Sequence, residues 1–401
     1  MITSQLAQHP DNVPPERVID FDVYNAEWIT SDYHEFFAPL QAPGVADLVW
    51  TPRNEGHWIV TRGELMLEIF PNHRDFSNRI VLIPKSVGKQ DQRVPSTLDP
   101  PDHQHFRSLM NAGMGPARIR QLEPLIRDTA IRLIESFQHD GHCDFNKQYA
   151  EQLPIQVFLQ IVDLPLSDIE ELKYWCDQIV HPDGENSFEV SEQWFHDYLD
   201  PIIDQRIGRD GQDLLSTMIN GTVYGRRLTK PEMHNLCLQA LLGGLDTVVN
   251  FLGFVMLDLA RDPDLRRRLA RNGDIMPAAI EEFLRRHAVV NVAREVRHDL
   301  ECDGVQLKKG DVVMLPTVLA GIDERLNNCP FAVDIDRKSP RHAAFGRGPH
   351  FCPGAHLARE ELKITLQEWL KRIPDFALAQ DTDLRFRSGI VATVKGVSLV
   401  W

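Results

Sequence analysis

A chain of 401 residues with 43% hydrophobic and 25% charged positions has the makeup of a globular protein, which excludes the disordered and fibrous classes. Its formal net charge of −15 repels phosphate backbones and argues against a nucleic-acid partner, leaving only local basic patches. The six cysteines, Cys143, Cys176, Cys237, Cys302, Cys329 and Cys352, include no short Cys-x-x-Cys pair, so neither a disulfide framework nor a zinc site is expected.

The length exceeds that at which one core usually stops growing, yet no linker rich in Gly, Ser or Pro interrupts the chain. One elaborated domain over 1–401 is therefore expected. Residues 1–16 are polar with several prolines and carry no apolar run that could act as a signal or anchor. A soluble, cytoplasmic, monomeric protein without membrane attachment is the expectation.

In chain order, Leu48-Val49-Trp50, a turn at Asn54-Glu55-Gly56 and Trp58-Ile59-Val60 predict a β-hairpin, followed by a helix over 64–70. This makes the part near 45–65 β-rich. Residues 76–96 show little apolar periodicity and hold Pro84, Gly88 and Pro95, so an irregular loop is expected there. Asp99-Pro100-Pro101-Asp102 then starts a helix in which His103 and Arg107, four apart, share a face. That pair suits an anionic group, but a solvated surface face gives the same spacing.

From 119 to 227 the sequence reads as successive amphipathic helices, among them 122–137 and 154–161. A run from Thr229 to Arg261 then continues without a breaker, giving a helix of about 30 residues or ~45 Å at 1.5 Å per residue. It is apolar on most sides, as in a membrane span or a buried rod. Gln239, Asp246 and Asn250 in its middle favour the rod, because polar groups are costly in lipid. Within it, Gly243-Gly244-Leu245-Asp246-Thr247 places two glycines before an acid and a hydroxyl. Helical glycines cost about 1 kcal/mol each, and close approach of a flat cofactor is one reason to accept that cost. A threonine hydroxyl can loosen the local ladder and hold a water, which the acid connects to solvent. A kinked core helix with a salt-bridged acid would look the same.

A helix over 277–286 carries Glu282 and Arg285 on one face, a pattern common at surfaces. Residues 300–315 alternate with turns at Asp303-Gly304 and Lys309-Gly310, which predicts a small sheet. Near the end, Phe345-Gly346-Arg347-Gly348-Pro349-His350-Phe351-Cys352-Pro353-Gly354 precedes a helix over 355–372, and short strands over 380–401 close the chain. Glycines under a cysteine let the backbone fold beneath the sulfur, and the amides at the helix start would stabilise a thiolate aimed at a metal. A buried structural cysteine is the alternative.

These segments resemble the cytochrome P-450 superfamily, the haem-thiolate monooxygenases. FGRGPHFCPG matches the haem loop, EFLR at Glu282 to Arg285 the acid–arginine helix, and GGLDT the oxygen-activating helix. LLGGLDTVVNFL, DGVQLKKGD, RIPDF and SGIV look like the bacterial camphor hydroxylase subfamily. The resemblance implies a mainly α fold with small β-sheets (α+β), a triangular prism with haem between the long central helix and the cysteine loop. It implies haem b on Cys352, lodged against Gly243 and Phe345, with His103, Arg107, Arg294 and His350 at the propionates. Asp246 and Thr247 would deliver protons during oxygen activation, and Glu282, Arg285 and Arg337 would form a structural triad.

By the same resemblance, Leu82, Gln239, Val290, Ile390 and Val391 line the substrate pocket. The camphor enzyme has a tyrosine before its Asp-Pro-Pro where this chain has Lys89-Gln90-Asp91-Gln92-Arg93, and no tyrosine lies between Tyr33 and Tyr149. That departure argues against camphor itself and leaves a small apolar terpenoid or norisoprenoid as the implied substrate. Arg107, Lys338, Arg341, Arg347 and Arg359 would dock a [2Fe–2S] ferredoxin supplied by an NADH-dependent reductase. Pro353, where the camphor enzyme has leucine, and Arg347 imply an altered partner preference. A peroxide-driven oxygenase and a haem sensor are the other functions compatible with the loop.

Overall fold

The computed structural model describes residues 6–24, 29, 32–182 and 185–401. The N-terminal hairpin forms as the alternation predicts: Leu48–Thr51 pairs antiparallel with His57–Val60, Trp50 opposite Trp58. Its turn runs through the left-handed region at Asn54, Glu55 and Gly56. The hairpin is one edge of a five-stranded sheet that continues through Val312–Pro316 and Asn291–Val296 to Phe76–Ser77. Residues 300–315 thus divide. Leu300–Cys302 and Val305–Leu307 form a separate hairpin, while the last strand joins the large sheet.

The segment 76–96 is more ordered than its sequence suggests. Phe76–Ser77 pairs with Val296, Lys85–Gln90 is helical, and Asp99 accepts from Ser77 Oγ at 2.5 Å and Asn78 N at 2.9 Å. These bonds come from residues far from the segment's own pattern, so periodicity could not reveal them.

Short strands close the chain as predicted: Ala377–Leu378 and His142–Asp144 flank Ser398–Val400, and Arg385–Arg387 pairs with Thr393–Lys395; a further ribbon joins Thr222–Val223 to Arg226–Arg227, and helices make up most of the rest. The helix Asp102–Met114 follows the Asp-Pro-Pro run, with Pro101 rather than an aspartate at its N-cap and no side-chain cap bond, and the helix predicted over 122–137 spans Pro116–Glu135. The cysteine-loop helix is Ala355–Arg372. It packs along Pro116–Glu135, and Trp369, Phe137, Phe145 and Tyr149 fill the space around it.

The central rod corrects the expectation of an unbroken helix. Thr229 and Glu232 close a reciprocal capping box at its start, and Lys230–Leu245 and Thr247–Arg261 follow on either side of Asp246, whose φ of −134° leaves the helical range. The physical cause is local. Thr247 Oγ1 donates to the Gly243 carbonyl at 3.2 Å and competes with the backbone ladder just where two glycines hold it least firmly. The rod is apolar enough to cross a membrane, but 78% of its most apolar stretch is buried inside the protein.

Candidate active site

A cavity of about 400 Å³ lies between the interrupted rod and the cysteine loop. Gly243 and Thr247 border it on one side, Phe345, His350, Cys352 and Gly354 on the other. The loop's bend comes from Gly346 and Gly348, at φ 64° and 71°; a Cβ on Gly348 would also stand 2.7 Å from Pro71 Cα. Gly354, by contrast, has ordinary backbone and room for a Cβ, so only two of the three loop glycines make the turn. Cys352 N donates to the Phe345 carbonyl at 2.9 Å and fixes the cysteine at the helix start. Burial pushes its thiol up, while the Gly354 N–H and the charges of Arg107 and Arg359 favour the thiolate.

The two rod glycines serve different purposes. A Cβ on Gly243 would meet nothing within 4 Å and would project into the cavity, whereas on Gly244 it would lie 2.5 Å from the Phe158 ring. Gly243 leaves cavity space and Gly244 admits a neighbouring helix.

One end of the cavity holds basic groups without anions. Both ring nitrogens of His103, His350 Nε2 and Arg294 Nε are buried and lack hydrogen-bond partners among the described residues. Burial, then the neighbouring cations, lower His103 to about 4 and His350 to about 2, and burial lowers Arg294 to about 10. Neutral imidazoles with open ring nitrogens beside a desolvated guanidinium fit a site built for an anionic group such as haem propionates, whose charge would draw protons back onto the rings. Arg107 reaches the cavity rim, but its guanidinium also donates to the Phe351 carbonyl and, through Nε, to Asn111 at 2.8 Å.

Asp246 lies behind the cavity wall and is fully buried. Lys173 Nζ at 3.1 Å, His181 Nε2 at 3.0 Å and Asn250 Nδ2 at 2.9 Å hold its carboxylate. Burial alone would raise this carboxyl; His181 and Lys173 reverse that and hold it well below the ordinary carboxylate range. Lys173 and His181 were not legible as site residues, because nothing in sequence ties positions 73 and 65 residues away to Asp246.

Glu282 and Arg285 are buried, not a surface pair. Arg285 grips both oxygens of Glu282 at 2.9 and 2.7 Å, and Arg337 Nε adds a third contact at 3.0 Å. Of the basic residues assigned to docking, Lys338, Arg341 and Arg347 are exposed. Arg359 makes a two-pronged pair with Glu281 at 2.6 and 3.1 Å and lies over the face of Phe345. Opposite the loop, Leu82, Gln239, Val290, Ile390 and Val391 all line the cavity. Val290 bridges Val391, and Asn291 N donates to the Ile390 carbonyl at 2.9 Å, so the C-terminal strand tip and the sheet form one wall. Glu361 and Arg93 also line it and escaped sequence reasoning. Burial alone pushes the Glu361 carboxyl well above its ordinary range.

A profile of the cytochrome P450 family matches residues 185–385. The probable cytochrome P450 127A1 of Sinorhizobium fredii is 31% identical over 401 residues, covering 98% of this chain and 96% of that protein. The chain belongs to the cytochrome P450 family: it is a haem-thiolate monooxygenase with a cysteine-ligated haem b. The crystal structure of CYP101J2 superposes with a TM-score of 0.90 at 43% identity over 98% of this chain and 100% of that one. That of CYP101C1 gives 0.90 at 37% identity with the same coverages. Both support the likeness to the camphor-hydroxylase-like subfamily. The vitamin D(3) 25-hydroxylase of Pseudonocardia autotrophica is 30% identical over 354 residues, 85% of this chain and 86% of that protein.

Proposed function

We propose that this monooxygenase hydroxylates small, uncharged, terpenoid-sized molecules, using electrons from an acidic [2Fe–2S] ferredoxin and its NADH-dependent reductase. The observation that carries this reading is a single cavity that runs from Cys352 to an apolar wall of Leu82, Val290, Ile390 and Val391. An apolar wall of this kind selects by shape and excludes water from the reacting end.

In this reading Cys352 holds the iron, and His103, His350 and Arg294 take the propionates. Arg107 braces the loop through Phe351 and adds positive charge near the thiolate. Haem bound there supplies dioxygen activation, with the thiolate favouring O–O cleavage. The chain contributes the proton path. Asp246 stores an ionised carboxylate between Lys173 and His181, and Thr247 lines the cavity one residue later. Exchange of Asp246 between its buried cations and the Thr247 side would pass a proton inward without opening the cavity to bulk water.

Electron entry falls on the loop side, where Lys338, Arg341 and Arg347 are exposed and Phe351 is itself 40% exposed. Exposed cations and an exposed aromatic ring carried by the segments that lead into and form the loop suit an acidic partner. The test is a terpenoid panel scored by the low- to high-spin shift of the holoenzyme, followed by turnover with and without ferredoxin. Absence of a shift with every small apolar ketone and alcohol would overturn the substrate class; undiminished turnover without ferredoxin would overturn the electron route.

A further inference from the structure

Arg93 is a buried arginine in the cavity wall, only 8% exposed, and Asp91 beside it is fully buried. The two form a forked pair: Arg93 Nε donates to Asp91 Oδ1, and Nη2 to Oδ2 at 2.7 Å. Taking such a pair out of water costs several kcal/mol per ion and is weak as a device for stability alone.

Arg285 shows what a purely structural buried arginine looks like in this same protein. It donates to both oxygens of Glu282 and to the carbonyls of Gly321, Pro330 and Ala332. A guanidinium has five N–H donors. Arg93 commits one from Nε and one from Nη2 to Asp91, and its remaining donors meet no acceptor among the described residues. It is thus oriented on one edge and unspent on the other.

Apart from the propionate-end His103, His350 and Arg294 and the Glu361 carboxyl behind the cysteine, the cavity's other polar side chains are mostly occupied. Asn78 Nδ2 donates to the Ser96 carbonyl, Asn291 Nδ2 to Gly389, Thr317 Oγ1 to Val290 and Thr247 Oγ1 to Gly243. Gln239 is the other cavity side chain whose amide has no hydrogen-bond partner among the described residues. Charge separates the two candidates. Asp91 neutralises Arg93, and Glu192 also bears on it, so a substrate carboxylate gains little there, while a neutral carbonyl oxygen receives a charge-assisted bond.

We propose that Arg93, aligned by Asp91, is a specificity residue that donates to the carbonyl oxygen of an uncharged substrate and so fixes which end faces Cys352. The inference rests on the apolar-pocket reading above and adds the functional group that the pocket selects. In an otherwise apolar site, an oriented donor left unpaired penalises a substrate that lacks the acceptor.

The test uses holoenzyme and three matched pairs of probes: camphor, fenchone and β-ionone, each beside its parent hydrocarbon. Affinities are read from the spin shift and, independently, by calorimetry. Removing Arg93 alone would leave Asp91 buried and unpaired, so the informative variant is the double Asp91→Leu/Arg93→Met, checked for an unchanged haem spectrum. Gln239→Leu is the control. The expected result is a wild-type preference of about ten- to a hundredfold for at least one ketone over its hydrocarbon. The double variant should bring that ratio close to one by weakening the ketone alone, and Gln239→Leu should preserve it. Equal binding of ketone and hydrocarbon by wild type, survival of the preference in the double variant, or its collapse in Gln239→Leu each overturns the assignment to Arg93 while the pocket reading stands. Binding of no probe at all sinks the terpenoid reading and this inference with it.

Discussion

The two walls of the cavity are built on opposite principles. Behind the cysteine loop the charged groups are paired with one another: Glu282 is held by Arg285 and Arg337, Arg359 by Glu281, and the Cys352 amide by Phe345. Where the cavity is lined for a ligand, at the propionate end and on the facing side, His103, Arg294, the loop's own His350 and the outer edge of Arg93 stand without partners among the described residues. The satisfied wall is fixed before anything binds; the unsatisfied one is fixed by what binds. Buried donors are costly to leave open, so their location marks where ligands complete the structure.

The sharpest way to break this contrast is to damage the finished wall. Arg285→Ala leaves Glu282 with one cation and strips the Gly321, Pro330 and Ala332 carbonyls of a donor, which should cost about 3–5 kcal/mol in a urea melt of the holoenzyme. Arg285→Lys should recover little, since an ammonium cannot reproduce the fork. Stability unchanged in Arg285→Ala would mean that the triad is not what holds the loop.

On the rod side the losses should be chemical. Asp246→Asn is expected to slow turnover about 100-fold with the haem spectrum intact, and Thr247→Ala to divert reducing equivalents to hydrogen peroxide, measured as oxygen consumed per product formed. Equal coupling in wild type and Thr247→Ala would remove the hydroxyl from the proton path.

Smaller effects separate the two rod glycines. Gly244→Ala drives a methyl against Phe158 and should cost about 1–3 kcal/mol. Gly243→Ala meets open space and should gain about 1 kcal/mol of helix propensity while loosening ligand binding. Thermal melts paired with ligand titrations check both signs.

The smallest expected change is at Glu361, whose Oε1 is buried without a partner among the described residues. Its raised carboxyl means that the folded state binds a proton the unfolded state releases, so stability falls as pH climbs from the ordinary glutamate value of 4.5 toward the folded one. Glu361→Gln should match wild type below that value and melt a few degrees higher at pH 8, read by paired thermal scans. Parallel curves across that range would show that this carboxyl is satisfied when the cavity is filled.

Much of the thiolate side was legible because it is local. The loop, its glycines and the helix behind it occupy one stretch, and Glu282 and Arg285 share one turn. The break at Asp246 was half legible: the threonine and glycines were visible as a weak point, yet whether the ladder opens there depends on the Gly243 carbonyl accepting from Thr247. Lys173, His181, Arg93 and Glu361 were not legible as partners or wall residues, since each reads as an ordinary polar position within its own segment.

By itself, then, the sequence determined the chemistry on offer: one cysteine in a tight loop, an acid beside a hydroxyl in a buried rod, and a mainly helical body. Tertiary structure decided which side chains that chemistry meets. It paired Arg359 with Glu281, surrounded Asp246 with Lys173 and His181, and set Arg93 in the cavity wall. The reason is that local bonds follow from spacing along the chain, whereas burial and charge pairing depend on which distant segments the packed core brings together.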